Sequence, residues 1–248
     1  MIEIVDLHKS FAGQQVLNGL NLKIAEKELI AIIGKSGGGK SVFLKHLVGI
    51  LKPDKGNIII DDIDITQIST EELNIIRRKF GVVFQGGALF DSINIYDNIA
   101  FPLREKFKLA EQSIYERVTR ALDDVGLHGA EKKYPAEISG GMRKRAALAR
   151  ALVTEPQIVL FDEPTTGLDP ILLHSIHRLI IDMHKKYSFT GLIITHDIPE
   201  IFDVVDRVGF LYEGRIVEIG TPDEIRNSKN PISRQFITGS LEGPIGIF

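Results

Sequence analysis

Residues 29–41 read Leu-Ile-Ala-Ile-Ile-Gly-Lys-Ser-Gly-Gly-Gly-Lys-Ser. The run Leu29–Ile33 is apolar throughout, without alternation, as expected of a strand buried on both faces of a parallel sheet. Gly34, Lys35, Ser36, Gly37, Gly38, Gly39, Lys40 and Ser41 then fit the spacing GxxxxGK[ST], and a helical pattern runs from Lys40 to about Leu51. A strand, a glycine loop and a helix in that order make a phosphate site. Glycines let successive backbone N–H groups turn inward, and the helix start adds the positive end of its dipole. Lys40 is expected at the β- and γ-phosphates and Ser41 on a magnesium ion. A glycine-rich turn with no ligand is the alternative. The strand, the helix and the Lys-Ser pair weigh against it. The class that follows is α/β.

Outward from this stretch, residues 2–7 and 16–24 alternate as strands around a turn containing Gly13. Residues 53–56 (Pro-Asp-Lys-Gly) form a turn, and residues 57–65 a strand bent at Asp61-Asp62. Helical periodicity marks residues 114–125 and 143–152 in a region with few strand-like runs. Strands return at 158–161 and 191–195, with a helix at about 172–186 between them. A hairpin at 208–212 and 215–219 turns on Glu213-Gly214, and a short helix follows Thr221. The motif set occurs once, so a single nucleotide-binding unit is expected over residues 1–248. Residues 1–90 and 155–222 form its core with an N-terminal β subdomain, a helical subdomain is inserted at about 91–154, and 223–248 form a C-terminal helix and tail. The apolar residues Phe236 and 245–248 either pack on another chain or are loose.

Net charge is −3 and cysteine is absent, which argues against nucleic acid as a partner and excludes disulfides and thiolate metal sites. The first residues, MIEIVDLHKSF, lack the apolar core of a secretory signal. Apolar runs fall far short of the roughly 20 residues that span a bilayer, so service to a membrane is expected to go through a partner.

Four apolar residues, 158–161, lead into Asp162-Glu163. A buried strand delivers such carboxylates at its C-terminal end, where open parallel sheets bind ligands. Asp162 is expected to hold magnesium and Glu163 to orient the attacking water, since phosphoryl transfer to water is mostly positioning and charge stabilisation. Solvated acids at a strand end are the bland alternative, and the phosphate loop makes it the weaker one. His174 and His177 lie three apart on the helix after these acids and read as a solvated face rather than a metal pair. Arg143-Lys144-Arg145 reads as flanking the nucleotide or facing solvent. Asp61, Asp62 and Asp64 lack the spacing of a calcium loop.

With Ser139-Gly140-Gly141-Met142 the chain resembles the ATPase subunits of ABC transporters over essentially its full length. The order Phe11, residues 34–41, Gln85, Ser139–Met142, Asp162-Glu163, Asp169, His196 carries the resemblance. It implies a P-loop NTPase (RecA-like) core with antiparallel β and helical subdomains, ATP and Mg2+ as cofactors, and an ATP-sandwich homodimer. By the same resemblance Ser139, Gly140 and Gly141 bind the γ-phosphate held by the second copy. Phe11 stacks on adenine, although a lone aromatic there is also compatible with packing. Gln85 touches magnesium, with Ser41 and Asp162, and senses the membrane partner. Asp169 communicates across the dimer, and His196 contacts the γ-phosphate. Lys40, Gln85, Glu163 and His196 are the catalytic set.

Residues 86–92 (GGALFDS) and 98–105 (NIAFPLRE) are similar to the Mla-type and Mce-associated lipid-transporter ATPases, in which Met142 is the usual residue after SGG. Arg234-Gln235-Phe236 and Glu242-Gly243-Pro244 are similar too. That narrower likeness implies phospholipid transport between inner and outer membranes, integral-membrane permease subunits, an Mce-domain lipid-binding protein, a small accessory subunit, and a peripheral place on the cytoplasmic face of a bacterial inner membrane. The competing readings are the ATPase of an amino-acid or metal-ion importer, a non-transport ABC ATPase, and a non-catalytic nucleotide-binding regulator.

Overall fold

The computed structural model describes residues 1–107 and 109–246. In chain order these form β1 (Ile2–Phe11), β2 (Gln14–Ile24), β3 (Leu29–Ile33), α1 (Lys40–Leu47), β4 (Lys55–Ile60), β5 (Ile63–Asp64), α2 (Thr70–Arg77) and β6 (Phe80–Val83). Then come α3 (Ile95–Lys106), α4 (Glu111–Asp124), α5 (Gly140–Leu152), β7 (Ile158–Asp162), α6 (Pro170–Tyr187), β8 (Thr190–Thr195), β9 (Arg207–Tyr212), β10 (Arg215–Gly220), α7 (Pro222–Arg226) and α8 (Pro231–Thr238). They divide into two compact units, Met1–Arg77 with Thr190–Phe248, and Arg78–Phe189.

The first unit holds an antiparallel sheet in the order β2-β1-β4-β5. Beside it β3 runs parallel to both β8 and β9, and β10 pairs antiparallel with β9. All five residues of β3 are buried, which is why its sequence shows no alternation. The hairpin turns have positive φ at both central residues, at Ala12-Gly13 (47° and 82°), Asp61-Asp62 (48° and 65°) and Glu213-Gly214 (47° and 75°). That backbone matches the right-handed twist of the flanking strands. Helix α1 stops at Leu47, four residues short of the expected Leu51. The Arg77 guanidinium donates to the carbonyls of Val48 and Gly49 at 3.0 Å each, satisfying the end of the helix from α2.

In the second unit β6 and β7 pair in parallel, with Val83 opposite Phe161. Helix α5 packs on α3, α4, α6 and β6. Asp124, at the end of α4, accepts hydrogen bonds from Lys186 and Tyr187 of α6. Burial, followed by that carboxylate, pushes the Tyr187 hydroxyl pKa up. Among the described residues no helix is long and apolar enough to cross a membrane.

Candidate functional site

The phosphate loop lies in the first unit, between β3 and α1. Gly39 is the N-cap of α1 at φ 93°, and a Cβ there would sit 3.0 Å from the Val16 carbonyl oxygen. At Gly38 a Cβ would meet the Lys35 oxygen at 2.9 Å. The loop is therefore closed so tightly that only glycine fits at these two positions. No side chain caps α1, and its first turn carries no acid, so the dipole there is unopposed toward an anion. Lys40 is 5 % exposed and folds back into the loop, donating to the oxygens of Gly34 at 2.7 Å and Lys35 at 3.1 Å. An ammonium satisfied by backbone carbonyls can exchange them for phosphate oxygens without leaving its place. Ser41 is exposed on the first turn. Phe11 ends β1 and is 42 % exposed, with the Lys9 ammonium 5.5 Å from its ring centroid. Such exposure decides against simple core packing and leaves a ring face available for stacking. His196 is exposed just after β8.

The remaining expected residues lie in the second unit. Asp162 ends β7, and Glu163 follows at φ 48°, a left-handed backbone that costs a non-glycine residue about 1–3 kcal/mol. One carboxylate oxygen of Glu163 accepts from the Thr166 hydroxyl at 2.9 Å and from the Gln85 amide at 3.2 Å. Gln85 leaves the end of β6, so two parallel strand ends present a carboxylate and the amide that aims it. Ser139 caps α5, its hydroxyl accepting from the Met142 N–H at 3.3 Å. Gly140 opens that helix, and its first turn is free of acids. Asp169 caps α6 by accepting from the N–H groups of Ile171 and Leu172, both at 3.0 Å.

An apolar groove of about 450 Å³ opens beside Gln85. Phe84, Phe90 and Phe101 line it and are each more than 40 % exposed. The ABC transporter family profile matches residues 17–166.

The chain belongs to the ABC transporter ATP-binding family.

It binds ATP and hydrolyses it to drive transport. It is 48 % identical over 246 residues to the probable ribonucleotide transport ATP-binding protein mkl of Mycobacterium leprae, covering 99 % of this chain and 71 % of mkl. It is 37 % identical over 245 residues to the intermembrane phospholipid transport system ATP-binding protein MlaF of Haemophilus influenzae, covering 99 % and 93 %. Its fold matches the dimeric ATP-binding cassette MJ0796, solved in a post-hydrolysis state bound to ADP and Pi. That match has a TM-score of 0.81 at 30 % identity, over 90 % of this chain and 99 % of that one.

Several contacts that shape the site in this ABC ATPase carry no mark in the sequence. The basic run on α5 is tied to neighbouring segments by hydrogen bonds, with Arg143 exposed and Lys144 and Arg145 half-buried. Arg143 donates to the carbonyls of Pro135 and Ile138, Lys144 to that of Gln85, and Arg145 to Val125 and the Ser175 hydroxyl. Arg150 donates to the Gly87 and Ala88 oxygens at 2.7 Å each. Asn98 is wholly buried. It accepts from the Phe90 N–H at 2.7 Å and donates to the oxygens of Phe90, Ile93 and Asn94 at 3.0–3.1 Å. His177 is buried in α6 rather than solvated, while His174 is exposed. No cluster of three or more metal-binding side chains of the His, Cys, Asp or Glu type occurs among the described residues.

Proposed function

We propose that this ABC ATPase powers the movement of phospholipid between membranes, as one of two identical copies beneath a permease. The observation that carries the hydrolytic part is the Glu163 carboxylate, fixed by Thr166 and Gln85 at the end of β7. A general base held by two donors is aimed before substrate arrives, and here one donor is Gln85, expected at the magnesium, and the other is Thr166, three residues after Glu163. In this reading Lys40 and the backbone of residues 34–39 bind the phosphates, His196 contacts the γ-phosphate and Phe11 stacks on adenine. Ser139, Gly140 and Gly141 of the second copy close the site, and Asp169 links the two copies. Ser41, Gln85 and Asp162 would hold Mg2+. A hydroxyl, an amide oxygen and a carboxylate are the hard oxygen donors that ion takes. Bound there, the ion neutralises charge on the phosphates.

The lipid assignment is supported by the likeness to MlaF over 99 % of this chain. The groove beside Gln85 would take a permease helix, and an Mce-domain protein and a small accessory subunit would complete the assembly at the cytoplasmic face of an inner membrane. The higher identity to mkl favours a second reading, ribonucleotide transport by the same motor. Affinity purification from native membranes, with mass spectrometry of proteins and small molecules, separates them. A permease, an Mce-domain protein and bound phospholipid are expected. A permease carrying ribonucleotide would replace the lipid assignment. Within the motor, Glu163→Gln should bind ATP normally and hydrolyse it about 10²–10⁴-fold more slowly; turnover at the unaltered rate would remove Glu163 from the mechanism.

A further inference from the structure

The C-terminal segment is bonded onto the phosphate loop of its own chain. Helix α8 ends at Thr238 with Gly239 as its C-cap, and its Phe236 ring stacks on Phe210 of β9 with centroids 4.8 Å apart. The side chain of Gln235, 6 % exposed, grips the returning tail at two atoms. Its oxygen accepts from the Ile245 N–H at 2.7 Å, and its amide donates to the Ile245 oxygen at 3.2 Å. Gly243 passes this side chain at φ 150°, and a Cβ there would lie 2.3 Å from the Gln235 oxygen. The sequence Glu242-Gly243-Pro244 thus has a structural reason: a larger residue at 243 would push the tail off Gln235. The gripped segment delivers the Gly246 carbonyl to the Lys35 ammonium at 3.2 Å. Ile245 and Gly246 line one cavity of about 380 Å³ together with Lys35, Ser36, Gly37 and Gly38.

We propose that residues 239–246 form an intramolecular clasp that opposes nucleotide binding through Lys35. One neutral carbonyl holds the ammonium when the loop is empty. The triphosphate is a stronger partner for the same charge, because its oxygens are ionised and add the attraction of opposite charges to a hydrogen bond that the carbonyl makes as a neutral acceptor. Nucleotide therefore draws Lys35 away from Gly246 and loosens the tail, and by linkage a held tail weakens nucleotide binding. The proposal rests on the phosphate-loop reading of residues 34–41 and adds a regulator to it.

The test combines hydrogen exchange with binding of a non-hydrolysable ATP analogue to the full chain. The analogue should speed exchange in the peptide spanning residues 240–246. Gln235→Leu and Gly243→Val should speed it without analogue and tighten analogue binding about three- to tenfold, the upper figure corresponding to about 1.4 kcal/mol. A chain ending at Gly239 should show the same tightening, which keeps the test decisive if either substitution disturbs α8. Tail exchange that is unchanged or slowed by the analogue would overturn the clasp, as would unchanged or weaker binding in the shortened chain. Absence of analogue binding to the unaltered protein would instead sink the phosphate-loop reading, and the clasp with it.

Discussion

Replacing Ser139 with aspartate separates two jobs that the serine performs at one place. As the N-cap of α5 its hydroxyl accepts the Met142 N–H, and in the proposed dimer it also meets the γ-phosphate of the other copy. Aspartate caps a helix as well as serine does, and its charge suits the N-terminal dipole, so Ser139→Asp should leave stability nearly unchanged. Ser139→Ala should lose the cap, about 1 kcal/mol, and lower the Tm by roughly 2–4 °C for a chain of this size. Activity should rank the other way. A carboxylate about 4 Å from a phosphate charge costs about 4 kcal/mol at an effective dielectric of about 20, or roughly a thousandfold in rate. The alanine variant brings no repulsion and should retain more turnover. Dye-monitored melting and steady-state phosphate release measure the two scales on the same samples. An aspartate variant that hydrolyses ATP at the unaltered rate would refute the reasoning, leaving Ser139 as a cap alone.

Asn98→Leu keeps the volume but strands the Phe90 N–H and takes the amide donor from the Ile93 carbonyl, while the Phe90 and Asn94 carbonyls keep backbone N–H partners, and it should cost about 3 kcal/mol, seen as a Tm drop of roughly 10 °C; a drop under about 2 °C would show that other contacts hold that loop. Burial lowers the pKa of His46 below its ordinary 6.5. The unfolded chain then takes up the proton first, so stability is full above about pH 6.5 and falls as pH drops through that value toward the folded pKa. His46→Gln should flatten this slope in melts across a pH series, and an unchanged slope would assign the acid sensitivity elsewhere. Lys144→Met removes the donor to the Gln85 carbonyl and should lower kcat about tenfold with the KM for ATP within about twofold; a shift confined to KM would place Lys144 in nucleotide binding instead.

The parts of the fold legible in the sequence are those where one local rule dominates. Leu29–Ile33 is fully buried, so its unbroken apolar run could mean little else. The turns at Gly13, Asp61-Asp62 and Glu213-Gly214 carry residues that tolerate positive φ. Helices α2 and α3 were missed for opposite reasons. Ser69 and Glu72 form a reciprocal cap that Ser-Thr-Glu-Glu announces, yet α2 buries only Ile76, so its apolar period is faint. Helix α3 carries Pro102 in its interior, which interrupts the pattern that identifies a helix. Within the site, the residues proposed to bind by backbone or from a strand end stand out by their spacing. Asn98, Lys144 and Arg150 were not, because their partners are carbonyl oxygens, which every residue has and no sequence pattern marks.

Those carbonyl contacts give the second unit a physical link from its apolar groove to the Glu163 carboxylate, the proposed general base. The segment from Gln85 to Phe90 has no regular structure of its own. Lys144 holds its first carbonyl, Arg150 two in the middle and Asn98 both backbone groups of its last residue. All three anchors stand on α3 and α5, which pack on each other. Phe90 of this segment and Phe84 just before it line the groove, while the Gln85 amide donates to Glu163. A helix that fills the groove must therefore press on a segment that is tied to packed helices on one side and to the Glu163 carboxylate on the other. Coupling of this kind needs only that the occupied and empty grooves favour different settings of Gln85, and the difference in binding energy between those settings bounds how strongly a partner can control hydrolysis. On that account the kcat of the Lys144→Met variant reports the stiffness of the link itself, since the substitution leaves both the groove and Glu163 in place.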